Sequence, residues 1–110
     1  MTQKFEGEFT GKYDSTKVDS NGISTFSGNI TIKIQKVGKG AYLQNISYDG
    51  KEANNVLGFV KDDTIVSQNQ SGNGVNYTYF DGKCLVHKVS NKPSTPNWTV
   101  NVSKLKRNKH

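Results

Sequence analysis

The sequence predicts an all-β domain, an antiparallel up-and-down meander of about eight short strands. Three observations carry this. Apolar and polar residues alternate at period two over long stretches. No segment carries a capped i, i+3, i+4, i+7 apolar stripe, so little or no helix is expected. Tight-turn chemistry recurs at short, even spacing along the chain.

In the first segment Phe5, Gly7, Phe9, Gly11 and Tyr13 fall on one face, and Glu6, Glu8, Thr10 and Lys12 on the other. The second segment sets Phe26, Gly28, Ile30, Ile32 and Ile34 against Thr25, Ser27, Asn29, Thr31 and Lys33. Further strands are expected near 40–48, 53–60, 63–68, 74–80, 83–90 and 97–106. Between them lie Asp19-Ser20-Asn21-Gly22, Gly38-Lys39-Gly40, Asp49-Gly50, Lys61-Asp62-Asp63, Ser71-Gly72-Asn73-Gly74 and Asp81-Gly82. Asp-Gly supplies the positive φ angles that two-residue hairpins need. Pro93 and Pro96 mark a stiffer loop before the last strand.

Hairpin-length connections require antiparallel neighbours, because parallel strands need long crossovers. Such a meander removes its two edges by closing into a barrel; an open β-sandwich is the alternative. Either way one set of faces is inward. Alternation assigns Phe5, Phe9, Phe26, Tyr77, Tyr79, His87 and Trp98 to it, with Gly7, Gly11, Gly28 and Gly58 as places for a bend, close packing or a ligand.

At 110 residues the chain fits one domain. Only 32% of it is apolar, so its core is thin and a single curled sheet suits it. No stretch nears the roughly 20 apolar residues of a membrane-spanning helix. The first residues lack the apolar run of a signal peptide, which sets the expectation of a cytoplasmic protein without a membrane partner. Cys84 is the single cysteine, so no internal disulfide forms. Of the net charge of +6, four units come from Lys104, Lys106, Arg107 and Lys109. The expected organisation is a β domain over 1–103 followed by a basic tail over 104–110. Asn-X-Ser/Thr triplets begin at Asn29, Asn45, Asn69, Asn76, Asn97 and Asn101, and are read as polar residues filling the wet faces of strands.

The run Gly7-Glu8-Phe9-Thr10-Gly11-Lys12-Tyr13 resembles the G-E-F-T-G-x-Y strand of avidin-type barrels. Thr99-Val100-Asn101-Val102-Ser103-Lys104-Leu105-Lys106-Arg107 is similar to the closing strand of such barrels, which ends in a basic pair. The resemblance implies a calycin-like barrel, an eight-stranded meander with a ligand site at its mouth or interior. It does not imply biotin, whose sites in that family use several tryptophans where this chain has only Trp98.

Signals for catalysis are thin, and the expectation is a protein that is not an enzyme and needs no cofactor. Glu6 and Glu8 lie about 7 Å apart on one strand face, but that face is the polar one. Asp62 and Asp63 are turn residues. Cys84 and His87 are an odd number apart and face opposite sides of a regular strand. With only His87 and His110 available, a histidine-based metal site is not expected. No Gly-rich phosphate loop is present.

Aromatic residues give the better functional signal. Tyr77 and Tyr79 share a face; Tyr42 and Tyr48 share another, with Gln44 and Ile46 between them; His87 lies between Leu85 and Val89; Trp98 opens the last strand. Tyr42, Tyr48, Tyr77, Tyr79, His87 and Trp98 are the expected lining for a small aromatic or sugar ligand, since flat apolar area with one polar handle suits such molecules. The first expectation is thus a non-catalytic barrel binding a small molecule or a protein partner. One alternative is a structural subunit that associates with itself. Another is nucleic-acid contact through Lys104, Lys106, Arg107 and Lys109. It ranks lower because the body outside the tail carries only +2 and its Lys and Arg residues are not interleaved with the tyrosines in a recognisable RNP motif.

Overall fold

The computed structural model describes residues 4–68, 74–91 and 98–108. Its strands are β1 (Gly7–Asp19), β2 (Gly22–Gly38), β3 (Ala41–Tyr48), β4 (Asn54–Lys61), β5 (Thr64–Gln68), β6 (Gly74–Phe80), β7 (Leu85–Asn91) and β8 (Trp98–Arg107). They follow one another in order around a closed antiparallel barrel. No helix occurs among the described residues. Closure decides between barrel and sandwich: β1 pairs with β2 on one side and with β8 on the other.

The turns behave as their chemistry dictates. Asp49 and Gly50 both have positive φ, 54° and 72°, and join β3 to the segment before β4. Asp62 and Asp63 do the same for β4 and β5, at 53° and 60°, because a short polar side chain tolerates the left-handed region. Residues 71–73 of the next expected turn, and Pro93 and Pro96, lie outside the described residues.

Buried Phe9 and Tyr13 of β1, Ile30, Ile32 and Ile34 of β2, Ile46 of β3, Val56 of β4, Ile65 of β5, Leu85 of β7 and Leu105 of β8 fill much of the interior. Two glycines are required by packing. A Cβ on Gly11 would overlap the Lys104 carbonyl, so its absence lets β1 and β8 close against each other. A Cβ on Gly28 would overlap the Asp49 carboxylate and the Tyr13 ring.

Three expectations change. Phe26 is 52% exposed rather than inward. The β1–β2 hairpin pairs all the way to Asp19↔Gly22, but β3 joins β2 only from Ile30 onward. Phe26 and Ile23 therefore lie on a stretch of β2 with no neighbour on its far side. Tyr77 and Tyr79 face out, as the alternation with buried Asn76 and Thr78 requires. The last strand runs through Arg107, so Lys104, Lys106 and Arg107 belong to the wall of the barrel; Lys109 lies outside the described residues.

Candidate functional site

The interior is two-sided. β2, β3 and β4 line one wall with Ile30, Ile32, Ile34, Ile46 and Val56. The opposite wall carries Ile65, Leu85 and Leu105 as well, but its polar residues are stacked by the pairing register in two rungs. The first runs Thr78, His87, Ser103, Tyr13 across β6, β7, β8 and β1. The second runs Ser67, Asn76, Val89, Asn101, Ser15 from β5 round to β1. Ser15, Gln44, Ser67, Asn76, Thr78, His87 and Ser103 are all buried.

Thr78 sits at the centre of this wall. Its hydroxyl donates to Gln44 Oε1 at 2.8 Å. β3 and β6 are not neighbours in the sheet, so this bond crosses the lumen. The same Thr78 oxygen lies 2.8 Å from His87 Nδ1. A hydroxyl has one proton, and Gln44 takes it. Thr78 must then accept from His87 Nδ1–H, which leaves His87 Nε2 as a bare lone pair. Burial pulls the imidazole pKa down to about 4, so the ring is neutral near pH 7. The chain ends in one donor, Gln44 Nε2, and one acceptor, His87 Nε2. Both are buried without a hydrogen-bond partner among the described residues.

Four more buried atoms share that condition: Ser67 Oγ, Asn76 Oδ1, Asn101 Oδ1 and Ser103 Oγ. An unsatisfied buried polar group costs about 1–3 kcal/mol. Left dry, the six atoms together would cost as much as an ordinary domain's whole stability, about 5–15 kcal/mol. Such groups bind water or a polar ligand.

The two ends of the barrel differ. At one end Phe5 stacks on Phe80 with ring centroids 5.2 Å apart and meets Tyr42 edge-on at 5.5 Å. Arg107 lies over the Phe9 ring at 4.6 Å and donates to the carbonyls of Lys4 and Glu6. This end is plugged. Towards the other, Tyr13 and Tyr48 pack edge-on at 4.9 Å. Tyr13 donates to Asp49 at 2.7 Å. Burial raises the Tyr48 hydroxyl pKa, opposed by a hydrogen bond from the Asn101 side chain.

The expected lining residues are thus dispersed. His87 is at the centre of the polar wall. Tyr48 borders it through Asn101. Tyr42 lies six positions away along β3, about 20 Å at full extension, inside the plug. Tyr77 and Tyr79 are on the outer surface. Trp98 is placed at the start of β8, and its side chain lies outside the described residues. Gln44, Ser67, Asn76, Thr78, Asn101 and Ser103 were not expected as site residues, because serine, threonine and asparagine in alternation read as a wet face. Gln44 carried the one available signal: a polar residue in phase with Tyr42, Ile46 and Tyr48.

Glu8 is held by Lys33 at 3.8 Å and by the half-buried Asn108 amide at 2.6 Å, outside the barrel interior. No group of three or more His, Cys, Asp or Glu suited to a metal ion occurs among the described residues.

The closed eight-stranded meander is consistent with a calycin-like small barrel. No protein-family model and no curated protein sequence matches the chain.

Proposed function

We propose that the protein is a non-catalytic, calycin-like binding barrel whose interior holds one small neutral ring compound or sugar. The observation that carries this is a set of six unpartnered buried polar atoms, five of them on the polar wall of β5, β6, β7 and β8 and the sixth, Gln44 Nε2, reaching towards that wall from β3. Facing them is a wall of isoleucines. An eight-stranded barrel is just wide enough for one small ligand. A flat molecule would rest its apolar face on Ile30, Ile32 and Ile46 and turn its polar edge to the other side. Gln44 and His87 favour a ligand that brings one acceptor and one donor. A carboxylate brings acceptors only and would meet the His87 lone pair, and an imidazole with a pKa of about 4 does not protonate near neutrality to receive it.

A screen of aromatic metabolites and short glycans tests this. It is followed by melting temperature and by the fluorescence of Trp98, the only indole. The expected result is a neutral compound that raises the melting temperature, with the effect lost in Gln44→Leu and His87→Leu. If no compound perturbs either signal, water fills the polar wall and the reading fails.

Self-association is the second reading, favoured by an apolar stripe on the outer face. Phe59 is 59% exposed, Leu57 49% and Tyr77 42%. Register joins Phe59 to Val66 and Val66 to Tyr77. A second copy would dock face to face across this uncharged stripe, away from the unpaired stretch of β2 at Ile23 and Phe26. A dimer mass in solution that Phe59→Lys converts to monomer would support it.

A further inference from the structure

The outer face of β6, β7, β8 and β1 brings together aromatic and basic side chains that the linear sequence keeps apart. Register sets Tyr77 opposite Lys88 and Tyr79 opposite Val86. It sets Val86 opposite Lys104 and Lys104 opposite Lys12. Lys106 follows on the same face of β8, opposite Thr10. All of these alternate with inward Thr78, His87, Ser103 and Tyr13. Tyr77 and the four lysines 12, 88, 104 and 106 are exposed. The Lys88 ammonium lies 5.7 Å from the centre of the Tyr79 ring. From Tyr79 to Lys12 the row crosses three interstrand spacings, about 15 Å.

This face carries an unmet positive charge. Like charges directly opposite on paired strands destabilise a sheet, and Lys12 and Lys104 are so placed. The ion pairs among the described residues are Lys17–Asp19 and Lys33–Glu8, which include none of the four lysines. Asp81, near Lys104, is turned to the backbone N–H groups of Lys83 and Cys84 at 2.9 and 2.8 Å. Asp14, opposite Val102, is the carboxylate on the adjoining row.

We propose that this face binds single-stranded nucleic acid. Lys12, Lys88, Lys104 and Lys106 track the phosphates, and bases stack on Tyr77. A basic track with exposed aromatic rings on a curved sheet is the arrangement that holds single strands without reading their sequence. The exposed ring beside the lysines argues for bases over a sulfated polysaccharide or an anionic lipid surface, which need only charge. The surface is separate from the interior site and stands or falls without it.

The test is fluorescence anisotropy of the full chain with a labelled thymidine oligomer of about 20 nucleotides, between 50 and 200 mM NaCl. Binding is expected to weaken with salt. The double variant Lys12→Ala/Lys104→Ala should flatten the log–log slope by about 1.4, at about 0.7 per single-strand phosphate contact. Tyr77→Ala should weaken binding about tenfold and leave binding of an abasic oligomer of equal length unchanged. Lys104→Glu should remove binding while the melting temperature holds or rises, because it gives Lys12 an opposite charge; that separates lost contact from lost fold. Absence of binding at 50 mM NaCl overturns the proposal. So does an unchanged slope in the double variant. An abasic oligomer, or a heparin fragment, bound as tightly as the thymidine oligomer overturns it in favour of a plain polyanion surface.

Discussion

Tyr13 on β1 donates its hydroxyl to Asp49 in the β3–β4 turn at 2.7 Å, across 36 residues of sequence. Asp49 also accepts the Asn29 N–H at 2.9 Å, so a single carboxylate ties the turn to both strands of the β1–β2 hairpin. The Asn29 and Tyr13 hydrogen bonds hold the Asp49 carboxyl below its ordinary pKa, and the Tyr13 hydroxyl is raised in return. A carboxyl with a lowered folded-state pKa stabilises above its unfolded pKa, about 3.9, and that stability is lost as pH falls through the lower folded value. Tyr13→Phe should lower the melting temperature and make its fall with acid shallower in that range. An acid melting profile identical to the parent's would show that the pair contributes nothing.

His87 gives a second, separable acid transition. Its folded-state pKa is about 4 against about 6.5 for a free histidine, so the unfolded chain takes up the proton first. The contribution is constant above pH 6.5 and declines as pH falls from there to about 4. The loss totals about 3 kcal/mol at 1.36 kcal/mol per pKa unit. His87→Gln should flatten denaturant stability between pH 6.5 and 4, whatever its effect at neutrality. A parent protein equally stable at both ends of that range would contradict the burial of a neutral ring.

Thr78 sets the polarity of the wall without needing to touch a ligand. In the parent, nitrogen-15 spectra should report the Nδ1–H tautomer of His87, with Nε2 unprotonated. Thr78→Ser should preserve it, and Thr78→Val should release the ring to a mixture, because the valine has no oxygen to accept the proton. An Nε2–H tautomer in the parent would reverse the donor and acceptor ends, with Gln44 turned over.

Along β2 the face assignment has a sharp mutational contrast. Ile32 is fully buried and Thr31 is not. Ile32→Ala should cost about 2–5 kcal/mol, the usual range for a buried large-to-small change. Thr31→Ala should cost under about 1 kcal/mol. Chemical denaturation distinguishes them, and equal losses would refute the inward run Ile30, Ile32, Ile34.

Strand order, turn positions and the isoleucine face were legible because they rest on local chemistry. Asp49-Gly50 can hardly be other than a turn, and Ile30-x-Ile32-x-Ile34 declares its own inside. The polar wall was not legible, and the reason lies in β6. There the inward residues are Asn76 and Thr78 and the outward ones Tyr77 and Tyr79, so alternation found the two faces but apolarity assigned them the wrong way round. The same inversion misled the reading of the Asn-X-Ser/Thr triplets. It holds at exposed Asn29, but Asn76 is buried and Asn101 carries a buried Oδ1. Nor does sequence spacing reveal that Lys12 and Lys104 are partners, since only barrel closure joins β1 to β8.

That closure divides the folding of the chain into two kinds of event. Each of the ladders from β1–β2 to β7–β8 joins consecutive strands, and only short stretches of chain must be ordered before each forms. The β1–β8 seam, with Phe9 opposite Arg107, links nearly the whole chain. Its loop-closure entropy must be met before any of its contacts return energy. The seam is also where Gly11 admits the β8 backbone. The meeting of first and last strands therefore carries the largest loop-closure cost of any ladder in the barrel, and a side chain at position 11, set against the Lys104 carbonyl, would destabilise the closed state itself.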